Sequence, residues 1–229
     1  MKSLRTILIG NVLSLCLFSC SFVPVNNQYE KAGTLKKGNL ELNGNFTGNS
    51  VTVKGDPAGV NNNVGFRVGY GISDKFDLKL RYERLMPVKG IDDEFKGASY
   101  YSIVPKFSMV PGKLALLVPL SHYTYKENLD GTETTESLNS IAPQFLYTLT
   151  GVKKKTDLTF GLKADFLFGG DGEGDGGGAV IPGLTIGAGF SNNLDKWAVR
   201  PELGASFLGG GAFLNYGIGL QFIISGKNK

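Results

Sequence analysis

The sequence predicts an all-β protein, an up-and-down antiparallel transmembrane β-barrel of about ten strands, with eight strands as the alternative count. Three observations lead to this fold class. Apolar and polar residues alternate with a period of two from residue 38 onward, which only strands can sort onto two faces. Long and short connections alternate between the strands, and glycines share the polar face with charged residues.

The composition excludes several other classes. Glycine contributes 33 of 229 residues, about twice its usual share, but it lacks the three-residue period of collagen. The net charge of +4 is too even for a nucleic-acid binder. A single histidine leaves little for histidine metal sites or acid–base chemistry, so we expect no cofactor.

The first element is an export signal at residues 1–19. Lys2 and Arg5 precede an apolar run at 6–18 that is too short to span a bilayer. The run ends Leu-Phe-Ser-Cys at Cys20, which resembles a bacterial lipoprotein signal and implies lipid attachment to Cys20. The alternative is an ordinary signal peptide that leaves Cys20 unmodified. Residues 20–37 are polar and aperiodic after the first few, which predicts an anchor and tether.

The predicted barrel covers residues 38–225, and 226–229 form a C-terminal tail. The clearest strand is 76–83 (FDLKLRYE), where even positions are apolar and odd positions are charged. The predicted strands are 38–47, 63–72, 76–85, 98–109, 113–125, 137–150, 154–168, 180–190, 196–208 and 212–225.

The connections between these strands fall into two classes. Short turns are predicted at 73–75, 109–113, 151–153 and 191–195, and longer loops at 48–62, 86–97, 126–136 and 169–179. A transmembrane barrel has short turns at one end and long loops at the other. An even number of strands leaves both chain termini at the turn end.

A soluble, lipocalin-like barrel is the alternative to a membrane barrel, because alternation alone does not say which face is inside. Glycine would only weaken a strand that faces water, whereas in a narrow lumen it makes room for charged side chains. Aromatic residues also concentrate at strand ends on the apolar face, as the two girdles of a membrane barrel do. The predicted girdle residues are Tyr70, Phe76, Tyr82, Tyr101, Phe107, Tyr123, Tyr147, Phe168, Phe190, Trp197, Phe207 and Phe222.

On this pattern, residues 38–225 resemble the small outer-membrane β-barrel proteins of Gram-negative bacteria, the OmpA-like superfamily in the broad sense. The glycine-rich barrel joined to a Leu-Phe-Ser-Cys signal is most similar to proteins of the Bacteroidetes group. The resemblance implies export to the outer membrane and contact with its lipid. One departure is the C-terminus, where Phe222 is followed by seven further residues rather than ending the chain.

Charged residues on the polar face predict a network inside the barrel. The two signs are nearly balanced, which favours a salt-bridged, mostly plugged lumen over the alternative of a narrow polar pore. The network residues are Arg67, Asp77, Lys79, Arg81, Glu83, Lys106, Asp157, Lys163, Asp165, Arg200 and Glu202.

Five strand prolines predict local bulges or a shared bend, because proline gives up a donor of the ladder. They are Pro105, Pro119, Pro143, Pro182 and Pro201.

Two features of the sequence are candidate chemical sites. His122 lies near the loop end of a strand, but adjacent Ser121 points to the opposite face, so a rim hydrolase is only the alternative to a non-enzymatic barrel. Asp171, Glu173 and Asp175 resemble the start of a calcium loop, yet the twelfth position is Pro182. A flexible acidic loop is therefore expected, with weak divalent binding as the alternative.

The predicted function is a structural or surface-interaction role for a monomeric outer-membrane barrel. The alternative is a narrow channel or carrier for small solutes. A rim enzyme and a soluble lipoprotein barrel that binds an apolar ligand are further hypotheses. The predicted loops are acidic, so lipopolysaccharide with its divalent cations is a candidate partner, and no nucleic acid is expected.

Overall fold

The computed structural model describes residues 24–53, 56–88, 94–129, 131–151, 155–169, 179–208 and 211–226. Within these ranges no helix is long and apolar enough to cross a membrane. Twelve strand segments are present: β1 (Leu40–Val53), β2 (Asp56–Ser73), β3 (Phe76–Pro87), β4 (Phe95–Val110), β5 (Leu114–Leu117), β6 (Leu120–Leu129), β7 (Thr132–Ile141), β8 (Gln144–Thr150), β9 (Thr156–Phe168), β10 (Ala179–Phe190), β11 (Trp197–Leu208) and β12 (Gly211–Ile224).

The strands form one closed antiparallel barrel. From β1 to β4 and from β9 to β12, each strand pairs with the next along the chain. The last strand, β12, returns to pair with β1, from Leu40 opposite Ile224 to Thr52 opposite Ala212. This closure leaves the sheet without an edge, so all strands can satisfy their backbone groups within the wall.

The twelve segments make ten strands that cross the wall, because two crossings are each interrupted once. β5 and β6 are separated by Val118 and Pro119, and β7 and β8 by Ala142 and Pro143. The alternation of inward and outward side chains continues through both breaks. The predicted ten-stranded up-and-down barrel is confirmed, and the eight-stranded alternative is wrong.

Three of the strand prolines lie at one level of neighbouring strands. Their carbonyls still accept hydrogen bonds from the next strand, so the wall stays joined at the interruptions. The bonds run from Val118 to Pro105 at 3.0 Å, from Ala142 to Pro119 at 3.0 Å and from Ala164 to Pro143 at 3.1 Å.

The outward face of the barrel is apolar. In β3, buried charged residues alternate with outward Leu78 and Leu80, and Leu80 is 59% exposed. Leu162 and Leu203 are similarly exposed, at 63% and 60%. Exposed large apolar side chains recur on strands around the whole barrel, whereas soluble monomers rarely expose extended apolar patches, so this belt suits contact with lipid chains.

The predicted girdle residues lie on this outward face with one exception. Tyr123 is 1% exposed and points into the barrel, where its ring packs on Tyr100 with centroids 4.8 Å apart. The prediction for Tyr123 was wrong because it followed the position near the strand end. The two-residue period places Tyr123 on the same face as Ser121, which is the inside.

Several strands extend beyond their predicted ends. β1 continues to Val53 rather than ending at residue 47, and β6 and β7 form a hairpin through residues predicted as a loop. The extensions are rich in Asn, Thr and Glu, so they lack the apolar alternation by which a strand is recognised. Ladder hydrogen bonds need only the backbone, and polar residues at the loop end can form them.

Candidate functional site: the occupied lumen

The barrel lumen holds a stretch of the chain's own N-terminal region, residues 24–37, which we name the N-terminal segment. At the turn end, the Lys37 amide donates to Asp74 Oδ1 at 3.1 Å. Deeper inside, the Val25 amide donates to the Tyr123 hydroxyl at 3.3 Å, and Lys163 Nζ donates to the Val25 carbonyl at 2.9 Å. Residues 24–30 are all buried.

This placement corrects the prediction of a tether at residues 20–37. The described part of that stretch lies within the barrel instead of outside it. Asn26, Asn27 and Gln28 are each at most 3% exposed, and their side chains or backbone bind the wall. A tether in water and a segment that binds the polar groups of a lumen would both be polar and aperiodic. The sequence pattern therefore does not distinguish between them.

Glu30 of the segment sits among three cations of the wall. Its carboxylate accepts from Lys79 Nζ at 2.5 Å and from Lys106 Nζ at 2.9 Å, and Arg67 Nη1 is 3.5 Å away. All these side chains are at most 2% exposed. Ion pairs of this kind persist in a protein interior only when the charges compensate one another closely.

Glu41 on β1 completes this cluster. Its carboxylate accepts from Arg67 Nε at 3.0 Å and from Lys79 Nζ at 3.2 Å, while Gln221 Nε2 donates to it at 2.6 Å. Glu41 was not among the predicted network residues. The signal was present, because Glu41 begins a polar series at alternate positions of β1 that continues through Asn43, Asn45, Thr47 and Asn49.

The cations decide the charge state of Glu30. Burial alone raises the pKa of the Glu30 carboxyl, but the nearby positive charges of Lys106, Lys79 and Arg67 outweigh it. They hold the pKa well below its ordinary value of 4.5. Glu30 is therefore ionised at neutral pH and acts as the counter-ion of the cluster.

A second contact has the opposite polarity, because here the wall supplies the carboxylate. Glu202 on β11 accepts from the Gln28 amide at 2.7 Å and from the Tyr29 amide at 2.8 Å. Tyr29 has a φ of 54°, in the left-handed region, and successive amides around such a residue converge to form an anion-binding concavity. The N-terminal segment is thus held by its own carboxylate on one side and by its backbone donors on the other.

Other charged residues of the wall pair with one another. Arg200 binds Asp157 through two nitrogens at 2.9 and 2.8 Å, the bidentate geometry that favours arginine. Arg81 pairs with Glu83, and its Nη1 donates to the Gln28 side chain at 3.1 Å. The structure places all eleven predicted network residues inside the lumen, each at most 5% exposed.

Glycines of the wall leave the space that the segment fills. A Cβ on Gly219 would lie 2.7 Å from Tyr29 Cβ, and a Cβ on Gly204 would lie 2.6 Å from Asn26 Nδ2. Both distances are closer than side chains tolerate. From the sequence we expected the lumen glycines to make room for charged side chains of the wall. At Gly204 and Gly219 the N-terminal segment takes up this room.

His122 lies outside the lumen, on the outward face of β6. Its Nδ1 is 3.0 Å from Asn139 Oδ1 and its Nε2 is 3.3 Å from Thr124 Oγ1. Ser121 points inward and is 3.0 Å from both the Tyr100 and the Ser102 hydroxyls. The two side chains are thus on opposite faces, and the partners of the imidazole are an amide and a hydroxyl.

Some predicted site residues lie outside the described residues. These are the lipid-attachment candidate Cys20 and the acidic loop residues Asp171, Glu173 and Asp175. Among the residues that are described, no group of three or more His, Cys, Asp or Glu side chains is arranged to hold a metal ion.

The geometry defines a class of protein: a closed ten-stranded antiparallel barrel with an apolar outer belt, a charged interior and a chain segment inside. No protein-family model matches this sequence, and no curated protein matches it significantly.

Solved structures with a similar fold were found at low sequence identity. One is the translocator domain of the autotransporter NalP from Neisseria meningitidis, with a TM-score of 0.48 and 9% identity over 96% of this chain and 97% of that one. Another is the outer membrane protease OmpT from Escherichia coli, at 0.47 and 10% identity over 85% of this chain and 100% of that one. The attachment invasion locus protein Ail of Yersinia pestis scores 0.40 at 12% identity, over 82% and 99%.

Proposed function

We propose that this chain is an outer-membrane β-barrel protein with a structural or surface-interaction role, whose polar lumen is closed by its own N-terminal segment. The proposal of a closed lumen is supported by one main observation: residues 24–30 are buried among the charged side chains of the wall. A segment bound through Glu30, Tyr29 and Gln28 blocks the path that ions would take through the barrel.

The outer surface supports the membrane assignment. Large apolar side chains cover the outward face, and aromatic residues lie near both of its ends, including Trp197 at the turn end and Phe207 at the loop end. In a soluble barrel these side chains would contact water. In a membrane the same belt contacts lipid chains and the aromatic rings lie at the headgroups.

Membrane insertion is tested by carbonate extraction and by heat-modifiable mobility on gels. We expect the protein to stay with the membrane fraction and to run faster unheated than boiled. Release by carbonate together with identical mobility in the two lanes would instead support the soluble lipoprotein barrel.

The closed lumen is tested by single-channel recording in planar bilayers. We expect the full chain to show no steady openings, because the N-terminal segment contacts the wall on opposite sides. A second candidate function, a narrow channel or carrier, is favoured by the wall beneath the segment. Glu41, Asn43 and Asn45 form a polar row there that would remain if the segment left. Steady openings of the wild type would support this second function.

Three finer proposals concern other parts of the chain. Lipid attachment at Cys20 predicts a mass increase of the mature N-terminus, and an unmodified Cys20 would remove the anchor. Acidic loops that bind lipopolysaccharide through divalent cations predict weaker retention of the lipid after chelation. Absence of enzymatic activity predicts that His122→Ala leaves the cell envelope unchanged.

A further inference from the structure

The cluster around Glu30 has a charge balance that depends on the N-terminal segment. Three wall cations, Arg67, Lys79 and Lys106, face the two carboxylates of Glu30 and Glu41. Glu41 belongs to the wall and stays with it. Asp77 of the wall also lies near Lys79 and Lys106, so if the segment moved away, three buried cations would face two wall carboxylates and one positive charge would be left over. Buried charge without compensation is strongly unfavourable, so the vacated position would attract an anion.

The vacated position would also contain hydrogen-bond donors without acceptors. Lys106 Nζ donates to the Lys31 and Gly33 carbonyls at 2.6 and 2.9 Å, and Arg67 Nη1 donates to the Gln28 carbonyl at 2.5 Å. All three acceptors belong to the segment and would leave with it. Arg67 Nη2 is buried and has no acceptor among the described residues even when the segment is bound. The donors therefore exceed what the Glu30 carboxylate uses.

The segment is not part of the sheet, because it forms no strand pairing with the wall. Hydrogen bonds and ion pairs hold it, and Val25 and Ala32 pack in apolar clusters with residues of the wall. Buried Asn26 Oδ1 and Asn27 Oδ1 lack hydrogen-bond partners among the described residues, so the fit to the wall is incomplete. At the turn end, Gly38 has a φ of 80° and joins the segment to β1.

We propose that Arg67, Lys79 and Lys106 form a binding site for small carboxylate solutes, which Glu30 occupies as a built-in competitor. The inference rests on the proposed closed barrel, and it adds the chemistry of the solute. Glu30 itself shows which group the site accepts: a carboxylate with one oxygen within hydrogen-bond distance of two ammonium groups and the other 3.5 Å from a guanidinium nitrogen. A solute with two carboxylates would also supply an acceptor for Arg67 Nη2.

Chemical rescue tests the site. In full-length Glu30→Ala, the temperature at which the heat-modifiable band converts should fall, because the three cations lose one of their counter-ions while Glu41 remains. Propionate should restore at least half of that fall, whereas sodium chloride at equal ionic strength and neutral acetamide should not. Glu133→Ala is the matched control, since Glu133 is exposed and pairs with Lys126 outside the lumen. Equal responses to propionate and acetamide, or a similar response of the control, would overturn the proposal.

Exchange in the unaltered chain is followed by hydrogen–deuterium exchange of the N-terminal segment. Succinate should accelerate exchange at residues 26–35 by about tenfold, and neutral succinamide should leave it unchanged. If Glu30→Ala does not insert, Glu30→Gln keeps the side-chain volume, and succinate must then act more strongly than on the wild type. No acceleration in either chain would refute carboxylate binding. Carbonate extraction without solute tests the membrane barrel separately, so the two failures are distinguishable.

Discussion

Replacing Gly219 with alanine tests most directly whether the N-terminal segment fills the lumen. A Cβ at position 219 would lie 2.7 Å from Tyr29 Cβ and 2.9 Å from Tyr29 Cγ. Ordinary contact begins at 3.4 Å, so Tyr29 must withdraw by about 0.7 Å. Because the three nearest atoms all belong to Tyr29, the clash acts on the segment rather than on the wall.

The magnitude follows from how tightly Tyr29 is held. Its side chain is 1% exposed, and its hydroxyl lies 2.5 Å from Thr47 Oγ1 and 3.1 Å from Asn27 Nδ2. Overpacking at such a site costs about 1–3 kcal/mol. Alanine regains about 0.5–1 kcal/mol through the lower chain entropy of the unfolded state. That gain affects overall unfolding but not release of the segment, so the released population should rise about 5- to 150-fold.

The assay is hydrogen–deuterium exchange at residues 26–32 of the barrel in detergent or bilayer. Gly44→Ala is the matched control, because a Cβ on Gly44 would meet no heavy atom within 4 Å. Tyr29→Gly removes every atom that the new methyl group would strike, so Gly219→Ala should have no further effect in that background. Wild-type exchange in Gly219→Ala would refute the contact, and so would an undiminished effect after Tyr29→Gly.

Three further predictions concern charge and orientation. The depressed pKa of Glu30 means that its contribution to binding of the N-terminal segment is full above about pH 4.5 and is lost as the pH falls through the folded-state value. The part of the exchange that depends on Glu30 should therefore be constant down to about pH 4.5, and Glu30→Gln should reduce the further acid-induced release below it; an acid response identical to that of the wild type would contradict the ion pairs of Glu30. The Gln28 and Tyr29 amides donate to different oxygens of Glu202, so Glu202→Gln should remove one of these two acceptors, cost about 1.5–3 kcal/mol in total and speed exchange of these amides; unchanged exchange of both amides would contradict the assigned contact. Trp197, the single tryptophan, should be quenched more strongly by lipids brominated near the headgroup than by lipids brominated at the chain end, and the reverse order would contradict its girdle position.

Much of the barrel was predictable because side chains of a strand alternate between its two faces with a period of two residues. In 76–83, every odd position carries a charge, and the structure buries Asp77, Lys79, Arg81 and Glu83. The same period predicted that His122 and Ser121 face opposite sides. Where the interpretation departed from the period, as for Tyr123, it was wrong. The prolines were recognised as irregularities, but the alignment of Pro105, Pro119 and Pro143 needs the register between strands.

The lumen network was only partly predictable. Side-chain alternation says which charges face inward, but it does not say which of them pair. Asp157 and Arg200 are 43 residues apart and meet only because β9, β10 and β11 are neighbours in the wall. Glu41 was recoverable from the alternation of β1. Glu30 was not, because it belongs to no strand.

The sequence by itself determined the local properties of this protein: ten crossings, an apolar outer face, and a polar inner face lined with glycine. Those follow from the period of a strand and from the composition of each face. Tertiary structure alone decided what fills the barrel. A stretch such as Asn-Asn-Gln-Tyr-Glu-Lys has no periodicity, and its hydrogen bonds can be satisfied equally by water or by a lumen. The closed ring of strands resolves that choice, because it brings Arg67, Lys79, Lys106 and Glu202 around one interior space where residues 24–37 meet partners of complementary charge.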